Sequence, residues 1–389
     1  MLPLHITAMN AAWQRLPSNN PYIALFISDG GLAVYAKKSD TLYGFEEHAA
    51  SLFLRLEQGE DAADILSDFT GETQQDVALL LEQCQLLLSG QQTEKHMAYA
   101  PALDYPTSIP TYPNSGKIYQ LLNTNFLIHA DSPAYQELLQ SHLAHLEVSE
   151  HPSKPDIVFA LHQQGDCIIP LMNGKQIHAG LTSQRLYPFM QDWMRVTAYQ
   201  RVPYLLTLHA AALYKDDKCI LLPGVSGAGK STLTAALLSK GYQLLTDETA
   251  VIDLFDFGIY PVPMPLGLKE GSWQLLEHLY PTLMSLPAHR RFDQKPVRYL
   301  PPPEIQDVTL ARISATHIIF PQVSDGETGD LLSISLLQAL AKLDETGYQV
   351  QDKLGEEKAE SMLFWLAGLQ AYEVHYQHFN QAVEVIETL

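Results

Sequence analysis

Eight consecutive residues, Gly224-Val225-Ser226-Gly227-Ala228-Gly229-Lys230-Ser231, followed by Thr232, have the types and spacing in this sequence that most sharply define a chemistry. Glycines let successive backbone N–H groups wrap an anion, a helix N-terminus behind them adds a favourable dipole, and a lysine adds a mobile positive charge. That combination holds a nucleoside triphosphate, with Lys230 near the β- and γ-phosphates and the Ser231 hydroxyl on Mg²⁺. ATP and Mg²⁺ are therefore the expected cofactors. The pattern needs a strand before it and a helix after it. Lys218-Cys219-Ile220-Leu221-Leu222-Pro223 supplies a short apolar strand, and Leu233-Thr234-Ala235-Ala236-Leu237-Leu238 an apolar helix start.

Two adjacent carboxylates, Asp247 and Glu248, follow after one helix and one turn, in a run over residues 242–252 that reads as a single strand. Neighbouring residues on a strand face opposite ways, so only one of the pair need face the phosphates. His209 lies just upstream in Leu208-His209-Ala210-Ala211. Two further cations, Lys269 and Arg298, are placed to neutralise charge on a transferred phosphoryl group, with ordinary surface roles as their alternative. A satisfied structural histidine is the corresponding alternative for His209. Asp253 and Asp256 read as solvated turn positions, and the remaining histidines show no zinc spacing.

The block from His209 to Ile252 resembles the kinase domain of HPr kinase/phosphorylase, which shares its nucleotide fold with ATP-dependent phosphoenolpyruvate carboxykinase. It is also similar to the HPr-kinase-like enzymes that phosphorylate lasso and related precursor peptides. The resemblance implies an active site of His209, Lys230, Ser231, Asp247 and Glu248. Asp247 would be the base that takes a proton from an attacking hydroxyl, and Glu248 and Ser231, with Asp247 beside them, would hold Mg²⁺. Two departures are visible: Glu248 stands where HPr kinases usually have Asp, and Pro263-Met264-Pro265-Leu266-Gly267-Leu268-Lys269-Glu270-Gly271-Ser272 replaces their glycine- and arginine-bearing signature. The resemblance thus carries a kinase, without carrying HPr as substrate or the reverse phosphorolysis.

The elements that must position these residues occupy residues 117–389. Short strand-like runs at 126–129, 157–160 and 167–171 and helical stretches at 133–146 and 186–201 are expected to pack on the nucleotide core as entry strands and covering helices. The far end reads as a strand at 316–320, helices at 333–343 and 359–369, a strand at 372–376 and a closing helix at 379–389. Prolines 101, 106, 110 and 113 mark a linker over 93–116.

Residues 1–92 read as a separate small module. Apolar runs at 22–27 and 32–35 flank Asp29-Gly30-Gly31 as a β-hairpin, and helices follow over 45–56, 61–69 and 74–88. The order of hairpin, helix with Ala49-Ala50-Ser51-Leu52-Phe53, the Glu57-Gln58-Gly59-Glu60-Asp61 break and two helices ending in Leu86-Leu87-Leu88 resembles the PqqD family of peptide chaperones. That resemblance implies a winged-helix α+β module that recognises leader peptides of ribosomally made, modified peptides through residues 20–90. A generic winged-helix used for dimerisation, and hence a homo-oligomer, is the alternative.

Composition narrows the partners. A formal charge of −20 argues against nucleic acid, whose binding rests on a basic surface; a local patch around His289-Arg290-Arg291, Lys295 and Arg298 suits nucleotide phosphates or an acidic peptide better. No apolar stretch is long enough to span a bilayer and no export signal opens the chain, so a cytoplasmic protein without a membrane partner is expected. Cys84, Cys167 and Cys219 are read as reduced and mostly buried. The fold class expected is α/β, a P-loop kinase core behind a winged-helix module. The function expected is an ATP-dependent kinase for a Ser or Thr hydroxyl on a peptide or small protein. An ATP-binding scaffold without transfer, and a kinase of a small molecule such as free serine, stay open.

Overall fold

The computed structural model describes residues 13–28, 31–91, 116–148, 154–225, 227–302, 311–324 and 329–389. The expected linker over 93–116, except Gly116, lies outside the described residues, as do Asp29 and Gly30 of the hairpin turn and Ser226 of the glycine-rich loop. The described chain is mixed α/β, with five sheets and ten α-helices.

The six-stranded sheet that carries the loop runs in the order Gln243–Thr246, Ala210–Lys215, Lys218–Pro223, His317–Val323, Gln370–Tyr376 and Leu331–Ser333. Its three central strands, Lys218–Pro223, His317–Val323 and Gln370–Tyr376, are parallel neighbours. Both faces of Lys218–Pro223 are covered, which explains its unbroken apolar run. The helix Lys230–Leu238 leaves the loop and is buried along most of its length against this sheet and the closing helix Phe379–Ile386.

The run 242–252 is not one strand. Gln243–Thr246 belongs to the six-stranded sheet, and Ala250–Asp253 belongs to a second, five-stranded one. Its antiparallel partner divides in the same way, into Tyr204–Leu208 and Ala210–Lys215. One register holds across the crossing, with Leu208 opposite Ala250 and Ala212 opposite Thr246, and shifts only further out in each half. The pair is therefore a single ribbon that passes from one sheet to the other, and His209 and residues 247–249 sit where it crosses.

The expected entry strands do not join the loop-bearing sheet. Lys117–Leu121, Thr124–Ala130, Ile157–Gln164, Cys167–Met172 and Lys175–Gln176 form a sheet of their own. Thr124–Ala130 and Ile157–Gln164 are parallel, joined through the helix Pro133–Leu143, as a parallel crossover requires. The helix Ser183–Tyr199 packs in the same core with Tyr260, Val262, Met264, Val297 and Tyr299, which fastens this layer to the side of the crossing point.

Residues 14–46 make a four-stranded antiparallel sheet, and the helices Glu47–Glu57, Ala62–Ser67 and Glu72–Ser89 follow, close to the expected order. The sheet is buried on both faces. Ile23, Leu25, Leu32 and Val34 meet Phe53, Val77 and Leu81 of these helices. Ala24, Phe26, Ala33, Tyr35 and Leu42 instead share a core with Leu337, Leu340, Met362 and Leu366 of the far helices Leu336–Thr346 and Gly355–Ala367. The buried Asp40 carboxylate accepts the backbone N–H groups of Leu354 and Gly355, both at 2.9 Å, and so caps the second of these helices. Residues 14–91 are thus a layer of the whole protein and not a body set apart. Cys84 and Cys219 are buried as expected, but Cys167 is exposed, at the start of a strand next to a turn.

Candidate active site

The phosphate-type loop turns where its glycines allow. Gly227 and Gly229 have φ of 101° and 77°, the left-handed region that side chains resist. A Cβ at Gly229 would stand 2.9 Å from Tyr376 Oη. The same Tyr376 hydroxyl donates to the Ala228 carbonyl at 3.3 Å, so the last strand of the sheet braces the loop from behind. Gly229 is the N-cap of the helix that begins at Lys230, and its carbonyl already accepts from Leu233 N–H. Open helix N–H groups and a lysine therefore face one cavity of about 590 Å³, a size usual for a small-molecule site.

Val225, Gly227, Gly229, Lys230, Ser231 and Thr232 line this cavity, and so do His209, Asp247, Glu248 and Lys269. Gly224 stays off the wall and bonds through its N–H to the His209 carbonyl at 3.4 Å. Both carboxylates face the cavity, contrary to the expectation from strand alternation. The reason is the crossing point: residues 247–249 lie outside regular strand geometry, so Asp247 and Glu248 need not alternate. Arg298 is placed elsewhere. Its guanidinium stacks on the Trp273 ring at 4.6 Å and donates to the Leu286 carbonyl, a structural role on the neighbouring three-stranded sheet. Asp253 is likewise no solvated turn residue: it is fully buried and accepts from Arg312 and the Tyr260 hydroxyl.

Three groups hold the chemistry in tension. Lys230 is buried, and among the described residues its ammonium has no hydrogen-bond partner. Burial lowers its pKa to about 8 even though Glu248 and Asp247 oppose the shift. The Asp247 carboxyl is buried and rises to about 7, because burial and the Glu248 charge outweigh Arg195, the Gly267 N–H and Lys230. That N–H donates to Asp247 Oδ2 at 3.3 Å and fixes the carboxyl's direction. Burial also works against ionisation of Glu248, but Arg195, Lys230, His209 and Arg291 prevail and its pKa falls. Two adjacent carboxylates are thus driven apart, the arrangement that lets one exchange a proton near neutral pH while the other stays charged. His209 Nδ1 stands 3.7 Å from Glu248 Oε1, and burial together with Lys230 holds its pKa below the usual histidine value.

The cavity's other wall comes from residues the sequence motifs did not mark. Pro188, Gln191, Asp192 and Arg195 line it from the helix Ser183–Tyr199, with Tyr299 beside them; Arg291, from the basic patch expected to suit nucleotide phosphates, lines it as well. Positions 188, 191, 192 and 195 form one helical stripe. A polar stripe on a helix whose other residues, such as Leu186, Phe189, Met190 and Met194, are core is the signal that would have found them.

The residues fit a nucleotide with its metal. A buried ammonium without a partner among the described residues, beside the N-terminal turn of the helix Lys230–Leu238, suits phosphate oxygens. Among the described residues no cluster of three or more metal-binding side chains occurs. Mg²⁺ carried on phosphates asks for less, one or two carboxylates, which Asp247 and Glu248 provide. No helix of the described residues is long and apolar enough to cross a membrane. No protein-family model matches the chain and no curated protein matches it.

Proposed function

We propose that this protein is an ATP- and Mg²⁺-dependent phosphotransferase that phosphorylates a hydroxyl, with HPr-kinase-like chemistry on a P-loop core. The observation that carries it is the buried Asp247 carboxyl, held by the Gly267 N–H and poised to about 7, in the same cavity as Lys230. A phosphate cradle alone serves many functions; a carboxylate raised toward neutrality in the same cavity favours proton-transfer chemistry over a scaffold. In this reading the glycine-rich loop and Lys230 hold the β- and γ-phosphates. Ser231 and Glu248 would hold Mg²⁺, which would supply neutralisation of phosphate charge. Asp247 accepts the acceptor hydroxyl's proton as its oxygen attacks the γ-phosphorus and ADP leaves. Positioning and charge compensation supply most of such catalysis. His209 orients Glu248, and Lys269 adds positive charge at the cavity wall.

The acceptor we favour is a Ser or Thr of a peptide or small protein bound at residues 14–91, a PqqD-like module. Two features support this. The strand Thr41–Glu46 ends its sheet with a strand partner on one side only among the described residues, an edge to which an extended peptide can add. A groove of about 610 Å³ lies on the helices that follow the sheet, lined by Leu56, Glu60, Asp61, Glu82 and Leu86. Because this layer shares a core with the helices behind the site, a bound peptide would be held at fixed geometry and not on a loose tether. The test is incubation with γ-labelled ATP and precursor-type peptides. Transfer to a Ser or Thr supports the proposal; nucleotide binding without transfer to any peptide or to free serine favours a scaffold.

A further inference from the structure

A guanidinium on the cavity wall, close enough to lower the pKa of both Asp247 and Glu248, has no ligand assigned to it. Arg195 lies on the cavity-facing stripe of the helix Ser183–Tyr199, with its side chain 13% exposed. Nη2 donates to Asp192 Oδ1 at 2.9 Å. Nε is buried and, among the described residues, meets no acceptor. One turn earlier Gln191 repeats the situation: its Nε2 donates to the Pro265 carbonyl at 3.2 Å, while its Oε1 is buried without a partner. Leaving such atoms unpaired is costly, and two of them on neighbouring turns of one cavity-lining stripe call for an explanation that a bound ligand supplies.

We infer that Arg195 is an anion-binding residue of the cavity, taking phosphoryl or other anionic oxygens together with the glycine-rich loop and Lys230. The inference rests on the nucleotide-binding reading. Arg195 suits the task because its planar fork can keep Asp192 with one edge and offer other N–H groups to an oxyanion. The surrounding carboxylates support the charge: against the cost of burial, Asp192, Glu248 and Asp247 hold its pKa above the ordinary arginine value. The helix that bears it is anchored in a different core from the loop, with Tyr187, Met190 and Met194 buried against the separate five-stranded sheet. Arg195 and Lys230 therefore approach the same space from two independently built walls, which suits closure around a transferring group.

Two sources can supply the oxyanion, the γ-phosphoryl group of the nucleotide or an anionic group on the acceptor. Titration of the full-length protein with Mg²⁺ and AMP-PNP, with Mg²⁺ and ADP, and of the AMP-PNP-loaded protein with inorganic phosphate separates them. If Arg195 holds the γ group, Arg195→Met weakens AMP-PNP binding about ten- to hundredfold and leaves ADP binding unchanged. If it holds the acceptor's anion, both nucleotides bind as before and phosphate binding to the loaded protein is lost. Arg195→Lys keeps a charge for Asp192 but lacks the fork; it should show a smaller loss of the same ligand and serves where the Met variant does not fold. Wild-type affinities in both variants for AMP-PNP, ADP and phosphate would overturn the inference while leaving nucleotide binding intact. Failure of the wild-type protein to bind AMP-PNP would instead refute the nucleotide reading, and the inference with it.

Discussion

Replacing Asp247 by asparagine should stabilise the protein while stopping phosphoryl transfer. Folding raises this carboxyl from its ordinary 3.8 to about 7. A group whose pKa rises on folding contributes its stability below pH 3.8 and loses it as pH climbs through about 7. Against a side chain that never ionises, the raised pKa therefore costs about 4 kcal/mol at pH 8, where the folded carboxyl is ionised, and about 2 kcal/mol at pH 5, where only the unfolded chain ionises. Asparagine has the same shape and its carbonyl oxygen can still accept the Gly267 N–H, but it never ionises. Calorimetric melting should show Asp247→Asn above wild type, by more at pH 8 than at pH 5. Transfer from γ-labelled ATP should fall about 10²- to 10⁴-fold, the range for loss of a general base, with nucleotide affinity largely kept. A variant that melts no higher than wild type at pH 8 would refute the strained-carboxylate account. Undiminished transfer would remove Asp247 from the chemistry.

Wild-type kcat/KM should follow a narrow bell in pH. Activity should rise as Asp247 loses its proton near pH 7 and fall as Lys230 loses its own near pH 8, since burial raises the first and lowers the second; bound phosphates should move the alkaline limb of kcat upward. Gly229→Ala forces a side chain to φ of 77° and places Cβ 2.9 Å from Tyr376 Oη. It should cost about 1–2 kcal/mol from the backbone alone and weaken ATP binding in a titration, with Tyr376→Phe relieving the clash only in part. Arg298→Met should lower stability by about 1–3 kcal/mol, through the freed Leu286 carbonyl and lost Trp273 stacking, with unchanged ATP affinity. Removal of residues 1–92 should give a protein that aggregates in size-exclusion chromatography, because Leu337, Leu340 and Met362 lose their cover; a monodisperse, ATP-binding fragment would show the layer to be dispensable.

Much of the fold was legible. The strand, loop and helix from Lys218 to Leu238 could be read from contiguous residues, because glycines, one lysine and an apolar run suffice to define them locally. The apolar stretch Ile23-Ala24-Leu25-Phe26-Ile27 fits a strand covered on both faces, but which elements cover it is not recorded locally. Arg298 was misplaced since a lone cation in a short strand looks the same whether its partner is a phosphate or a tryptophan ring.

What the sequence by itself determined is the phosphate cradle and the identity of the carboxylates that follow it, since these depend on neighbours along the chain. The tertiary structure alone decided that Asp247 and Glu248 face the same way, because the paired strands through Leu208 and Ala250 leave one sheet and enter another just there. It alone brought Arg195 into the cavity lining and spread the core of the N-terminal sheet onto helices more than two hundred residues later in the chain. Those outcomes depend on which apolar faces bury one another across long separations, and no local spacing records that choice.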